Sequence, residues 1–206
     1  MKVSSTDSHE NQGGTMGICK NVKKLALVLG VVFISAQTAS AALLLEPHIG
    51  YNLSGSGDAG GVEYDYNGPQ LGARVGWQNL GLMLGLDYTR SSFELESKSS
   101  SGTSKTDMKR NEIGVFAGYN FPILLRAWGA YYFTNTMKAD NSTSTKYKGN
   151  TKELGVGFTG LPFLSINLMY RMVNHDEFES TAGNGSLNPD LDFKEIVLGV
   201  SLPFTL

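Results

Sequence analysis

From Leu43 onward the chain alternates apolar and polar positions with a period of two. In the first such stretch Leu43, Leu45, Ile49, Tyr51 and Leu53 share one face, and Glu46, His48, Gly50 and Asn52 share the other. Further on, Leu82, Leu84, Leu86 and Tyr88 oppose Met83, Gly85, Asp87 and Thr89. Ile113, Val115, Ala117, Tyr119 and Phe121 oppose Glu112, Gly114, Phe116, Gly118 and Asn120. The segments around 164–172 and 195–204 repeat the pattern. Alternation over roughly ten residues predicts strands, and strands of the length that crosses a bilayer. Eight such segments can be read: LLLEPHIGYNL, QLGARVGW, GLMLGLDYTR, EIGVFAGY, LLRAWGAYYF, ELGVGFTG, LSINLMYRM and EIVLGVSL.

Three of them open on a glutamate. Glu112 and Glu153 are 41 residues apart, Glu153 and Glu195 are 42 apart, and a further step of 42 back from Glu112 lands on Gln70. A period near 40 also occurs in propellers, but a blade needs about four strands in that length, and here there are two long ones. The repeat is therefore one hairpin. Connections alternate as well. QNL, NFPI and GLPF are tight; SGSGDAGGVEYD, SSFELESKSSSGTSKTD, NTMKADNSTSTKYKGN and VNHDEFESTAGNGSLNPDLD are long and polar. Short turns at one end and long loops at the other are expected of an outer-membrane barrel.

The N-terminal region differs. Lys20, Lys23 and Lys24 precede an apolar run from Leu25 to Ala36, which at 12 residues is too short to span a bilayer as a helix. TASA follows, with Ala39 and Ala41 at the small-residue positions of a signal-peptidase site and Ala42 as the first residue after the cut. The expected organisation is a polar extension plus cleavable signal peptide over 1–41, with Met16 an alternative start, and one domain over 42–206. The single cysteine, Cys19, precedes the apolar run, so disulfides and cysteine-based metal sites are excluded from that domain. Only His48 and His175 follow the signal, which leaves no metal cluster. No cofactor is expected.

Composition decides which face looks inward. The chain has 25 glycines, nine tyrosines and only 17% charged residues. A soluble barrel would carry abundant Lys, Glu, Ser and Thr on its polar face. Here that face is mostly glycine with isolated charges, a composition suited to a narrow lumen, and the apolar face is placed against lipid. Aromatics support the placement. Trp77, Tyr119, Phe121, Phe163 and Phe204 lie near the short turns or chain end, and Tyr51, Tyr88, Tyr131 and Tyr170 lie toward the long loops. Two bands at the strand ends are the girdles expected at the two interfaces. The glutamates then point into the lumen. Glu153 and Arg171 are each nine residues from Pro162, so they face each other across a hairpin, and Arg74, Glu112, Arg126 and Glu195 are expected to join them in one charge network. Burial of such charges unpaired would cost several kcal/mol each, of order the penalty seen in real proteins.

Signal peptide, eight alternating strands, short turns and a carboxylate–arginine lumen resemble the small OmpA/OmpX-type outer-membrane β-barrels. The resemblance implies an all-β fold: a transmembrane, up-and-down antiparallel barrel of eight strands in the outer membrane of a Gram-negative bacterium. It implies outer-membrane lipid, the export translocon and the barrel-assembly machinery as partners, the last reading a C-terminal aromatic for which Phe204, third from the end, is the candidate. A monomer is expected. So is a non-enzymatic envelope role with loop display, since eight strands leave an interior just filled by side chains. A narrow, OmpW-like conduit is the alternative. An enzyme would have to use His175, Asp176 and Ser180, the one loop constellation available. Nucleic acid is not expected, because residues 42–206 hold 13 Lys and Arg against 17 Asp and Glu.

Overall fold

A computed structural model describes residues 42–100, 102–140, 145–181 and 183–206. The expected cleavage residues Ala39 and Ala41 lie outside them; Ala42 opens the first strand. Eight long strands follow in order: β1 Ala42–Ala59, β2 Val62–Asn79, β3 Leu82–Ser99, β4 Gly102–Phe121, β5 Leu125–Ala139, β6 Thr145–Leu161, β7 Leu164–Ser180 and β8 Gly183–Ser201. Each pairs antiparallel with its sequence neighbours, and β1 pairs with both β2 and β8, so the sheet closes into a barrel. After an interruption at Leu202–Pro203, β9 (Phe204–Thr205) continues along β1, opposite Leu44 and Leu45. Leu43 and Leu206 then exchange two backbone hydrogen bonds of 2.9 Å, sealing the seam at its periplasmic end.

The outer wall explains why these residues fold this way. Leu43, Ile49, Leu71, Leu84, Leu86, Val115, Leu154, Leu168 and Leu198 all project outward and stand exposed, which only hydrocarbon contact makes favourable. At the tight ends, β2 and β3 join through Leu80 and Gly81, both at positive φ as a two-residue primed turn requires. Leu124 and Phe163 hold the same left-handed backbone at the other two short turns.

Over most of their described residues, the long polar connections expected from the sequence are instead strand. The eight strands run 15 to 20 residues, where about 9–11 suffice to cross a bilayer. The β3–β4 hairpin stays paired from Leu82↔Tyr119 out to Ser99↔Gly102. The cause is a reversal of the alternation. Below this height apolar side chains face out. Above it Tyr66, Phe93, Leu95, Met108, Met137, Val173 and Phe193 face in and form one buried cluster, while Glu94, Asp107 and Lys148 face water. Two bulges sit at the crossover, at Leu53–Ser54 of β1 and at Phe133–Thr134 of β5, where two successive residues face outward.

Charge on the lipid face should be costly and charge above it should not. Leu86→Arg is expected to destabilise the barrel by about 2–4 kcal/mol in urea unfolding from vesicles, and Ser104→Arg by less than about 0.5 kcal/mol. Equal effects would contradict the membrane boundary drawn here.

Candidate functional site: the lumen charge network

The lumen is the site that the sequence singled out, and its geometry follows from strand register. Glu153 of β6 is paired with Arg171 of β7, and Arg171 with Glu195 of β8, so three inward side chains lie side by side. Arg171 binds three carboxylates at once. Its Nη1 donates to Glu195 Oε2 at 2.9 Å, its Nη2 donates to Glu112, and its Nε lies 3.2 Å from Glu153 Oε2. Each of the three carboxylates has a second cation or donor. Arg110 Nη2 donates to Glu195 Oε2 at 3.0 Å, and Arg110 Nε lies 3.3 Å from Glu112. Thr151 Oγ1 and Asn135 Nδ2 donate to Glu112 Oε1 at 2.6 and 3.1 Å. Trp128 Nε1 donates to Glu153 Oε1 at 2.8 Å.

Two further arginines extend the network toward the periplasmic end. Arg74 Nε donates to Asp87 Oδ2 at 2.7 Å and Arg74 Nη2 to Glu153 Oε1 at 3.2 Å, with the guanidinium 4.5 Å above the Trp128 ring. Arg126 grips Glu46 with both Nη atoms and donates to Asn167 Oδ1 and Ser201 Oγ, each at 2.9 Å. Arg74 Nη1 is 3.6 Å from Glu46 and so links the two halves. His48 Nε2 lies 3.2 Å from Asp87 Oδ1.

All six residues expected in the network are buried and face the lumen. Arg126 does not reach the Glu153–Arg171 pair; it sits nearer the short turns and takes Glu46 instead. Sequence reading left out Glu46, Asp87 and Arg110 as members. Glu46 and Asp87 were legible as inward by parity. Arg110 was not, because it lies beyond the glutamate taken as the head of its strand. Of the aromatic residues, Tyr51, Tyr88, Tyr131 and Tyr170 are exposed toward the long hairpins, and Tyr119, Phe121, Phe163 and Phe204 toward the short turns, with Trp77 half-buried among the latter. His175, Asp176 and Ser180 are not brought together. His175 is fully buried and its Nε2 meets Asn135 Oδ1 at 3.0 Å, Asp176 faces outward, and Ser180 caps the β7–β8 turn through Gly183.

The glycines of this face are where large side chains lie. A Cβ on Gly155 would fall 2.2 Å from the Trp128 ring, and one on Gly72 would fall 2.5 Å from His48. Neither strand could carry a larger inward residue without displacing its neighbour's.

The family model described as outer membrane protein beta-barrel domain matches residues 25–204. The chain belongs to this family. It is an integral protein of the outer membrane of Gram-negative bacteria. Among solved structures, Neisserial surface protein A superimposes with a TM-score of 0.52 at 19% identity, covering 80% of this chain and 99% of its own. Ail, the attachment invasion locus protein of Yersinia pestis, gives 0.51 at 14% identity, covering 78% of this chain and 98% of its own. Its complex with the heparin analogue sucrose octasulfate gives 0.51 at 13% identity, with 79% and 99% covered. At such identities the likeness is one of fold. No curated protein matches the chain.

For this outer-membrane barrel the network makes a sharp prediction. Arg171→Met removes the cation shared by three buried carboxylates and is expected to cost about 3–5 kcal/mol, the range for breaking a buried pair. Urea unfolding of the refolded barrel measures it. A loss below about 1 kcal/mol would mean that water, not Arg171, neutralises these carboxylates.

Proposed function

We propose that this barrel is a closed, non-enzymatic scaffold of the outer membrane, which braces the envelope and presents four rigid hairpins to surface partners. The observation that carries the reading is the two-tier filling of the lumen. Within the membrane the bore is occupied by the arginine–carboxylate network. Above it the same bore is occupied by the cluster of Tyr66, Phe93, Met108, Met137 and Phe193. A conduit would need both tiers to open, and the upper one excludes ions for want of polar partners.

A catalytic role has little to support it, since His175, the imidazole nearest the outer surface, is committed to Asn135 inside the barrel. The partners that fit are outer-membrane lipid around the wall, the export translocon and barrel-assembly machinery during biogenesis, and a protein or glycan surface at the hairpin tips. Nucleic acid does not fit. A monomer fits this reading, because the sheet closes on itself and offers no strand edge to a second copy.

Planar-bilayer recording of the refolded protein tests the reading. Wild type should give no conductance steps. Glu153→Ala should lower refolding yield and remain silent, because Arg74 and Arg171 each lose a partner. A stable Glu153→Ala barrel that conducts steadily would instead favour the narrow conduit with the network as its gate.

A further inference from the structure

Five arginines occur between residues 42 and 206. Four of them, Arg74, Arg110, Arg126 and Arg171, are buried in the lumen, and Arg90 alone faces outward. Among the described residues no carboxylate pairs with it. It stands just beyond Tyr88, one outward position above the extracellular aromatic band. Register places it at the end of a row. Ile166 of β7 is paired with Val200 of β8, Val200 with Ile49 of β1, Ile49 with Leu71 of β2, and Leu71 with Arg90 of β3.

Strands of such barrels tilt about 35–45°, so a row perpendicular to them climbs the wall diagonally. Four interstrand steps of about 4.8 Å make roughly 19 Å, which rises roughly 11–13 Å. That is close to the depth of one leaflet of a hydrocarbon core about 30 Å thick. The row begins two outward positions below Tyr170 of the extracellular aromatic band and ends one position above Tyr88 of the same band, and it is not a flat wall. Its side chains, with Leu198 and Tyr51 beside them, border a groove of about 600 Å³ with Arg90 and Ser92 at its rim.

We propose that this lane is the seat of one phosphorylated lipid of the outer leaflet, of the lipid A class. One acyl chain lies along Ile166, Val200, Ile49 and Leu71, and a headgroup phosphate accepts hydrogen bonds from the Arg90 guanidinium and the Ser92 hydroxyl. Arginine suits the position because its planar fork meets two phosphate oxygens at once, whereas the other outward cations of this chain are lysines, point charges on flexible stems. An acyl chain suits the lane because the lane is continuous, apolar and as deep as a leaflet.

The test uses refolded full barrel in detergent, saturated with bisphosphorylated lipid A, washed, and weighed intact by native mass spectrometry. Heat-modifiable gel migration first verifies that each variant is folded; Arg90 and Ile49 face outward, so the lumen is untouched. Wild type should retain one lipid A per barrel. Arg90→Ala should retain it about tenfold less well, through loss of a charged hydrogen bond, and Arg90→Lys should fall between them. Ile49→Trp, which fills the lane and spares the arginine, should also release the lipid. Diacylglycerol, which has chains and no phosphate, should wash away. Retention of diacylglycerol equal to that of lipid A, displacement of lipid A by inorganic phosphate alone, or unchanged retention in Arg90→Ala would overturn the assignment.

Discussion

A backbone in hydrocarbon has no water to bind, so every N–H and C=O of a spanning sheet must find a partner in the sheet itself. That requirement forces β1 onto β8 and, through the exchange between Leu43 and Leu206, draws the last residues of the chain into the seam. Closure with eight strands fixes a bore only as wide as its own side chains. The inward face must therefore be filled without being overfilled. Glycine on one strand beneath a ring on the next is the arrangement adopted, as with Gly155 under Trp128 and Gly72 under His48.

A bore can be filled with apolar side chains, and the extracellular tier shows that this chain does so where it can. Within the membrane it sets charge among smaller apolar groups such as Met83 with Phe116 and Met169 with Val197. Export supplies a physical reason. If Glu153, Gly155, Gly157, Ser165, Asn167 and Arg171 were apolar, the β6–β7 hairpin would read as one predominantly apolar run from 153 to 173, long enough to span as a helix. Alternation with polar residues keeps each strand too mixed to partition on its own, and closure then hides those residues from lipid. Once hidden, they must satisfy one another. Arg171, shared by Glu112, Glu153 and Glu195, joins three even-numbered strands that are not all neighbours. The network thus ties strands across the bore as well as around it.

Much of this was legible because period two carries both strand and sidedness. Parity alone placed Arg74, Glu112, Glu153, Arg171 and Glu195 inside, and the midpoint at Pro162 set Glu153 against Arg171. The family of the chain follows from the same pattern. What parity could not supply was the length of the strands. Along Tyr88, Thr89, Arg90, Ser91, Ser92, Phe93, Glu94 and Leu95 the alternation persists while its polarity inverts, from apolar outside to apolar inside. Read without a membrane boundary, that inversion looks like the end of a strand and the start of a loop. Arg110 was lost for this reason, since it lies past the crossover on β4. The bulges at Leu53–Ser54 and Phe133–Thr134 compound the difficulty by shifting parity by one residue at the same height. Partners across the bore, such as Arg126 with Glu46, depend on barrel shear, which no local pattern encodes.

The inversion also determines what kind of surface the cell displays. Hairpins packed around Phe93, Met108, Met137 and Phe193 are held by a core of their own and paired almost to their tips. Their outward rows are ion pairs between exposed groups: Lys98 with Asp65 at 2.9 Å, Lys105 with Glu94 at 2.6 Å, and Lys148 with Glu179 at 2.5 Å. Exposed pairs of this kind contribute at most about 1 kcal/mol each. An incoming partner can therefore take over either member at little cost to the fold, because the hairpins are held from inside. Rigidity comes from the apolar tier and adaptability from the exchangeable pairs. A barrel built this way can vary the charges on its outer rows freely while its bore, where each side chain is fixed by several others, changes hardly at all.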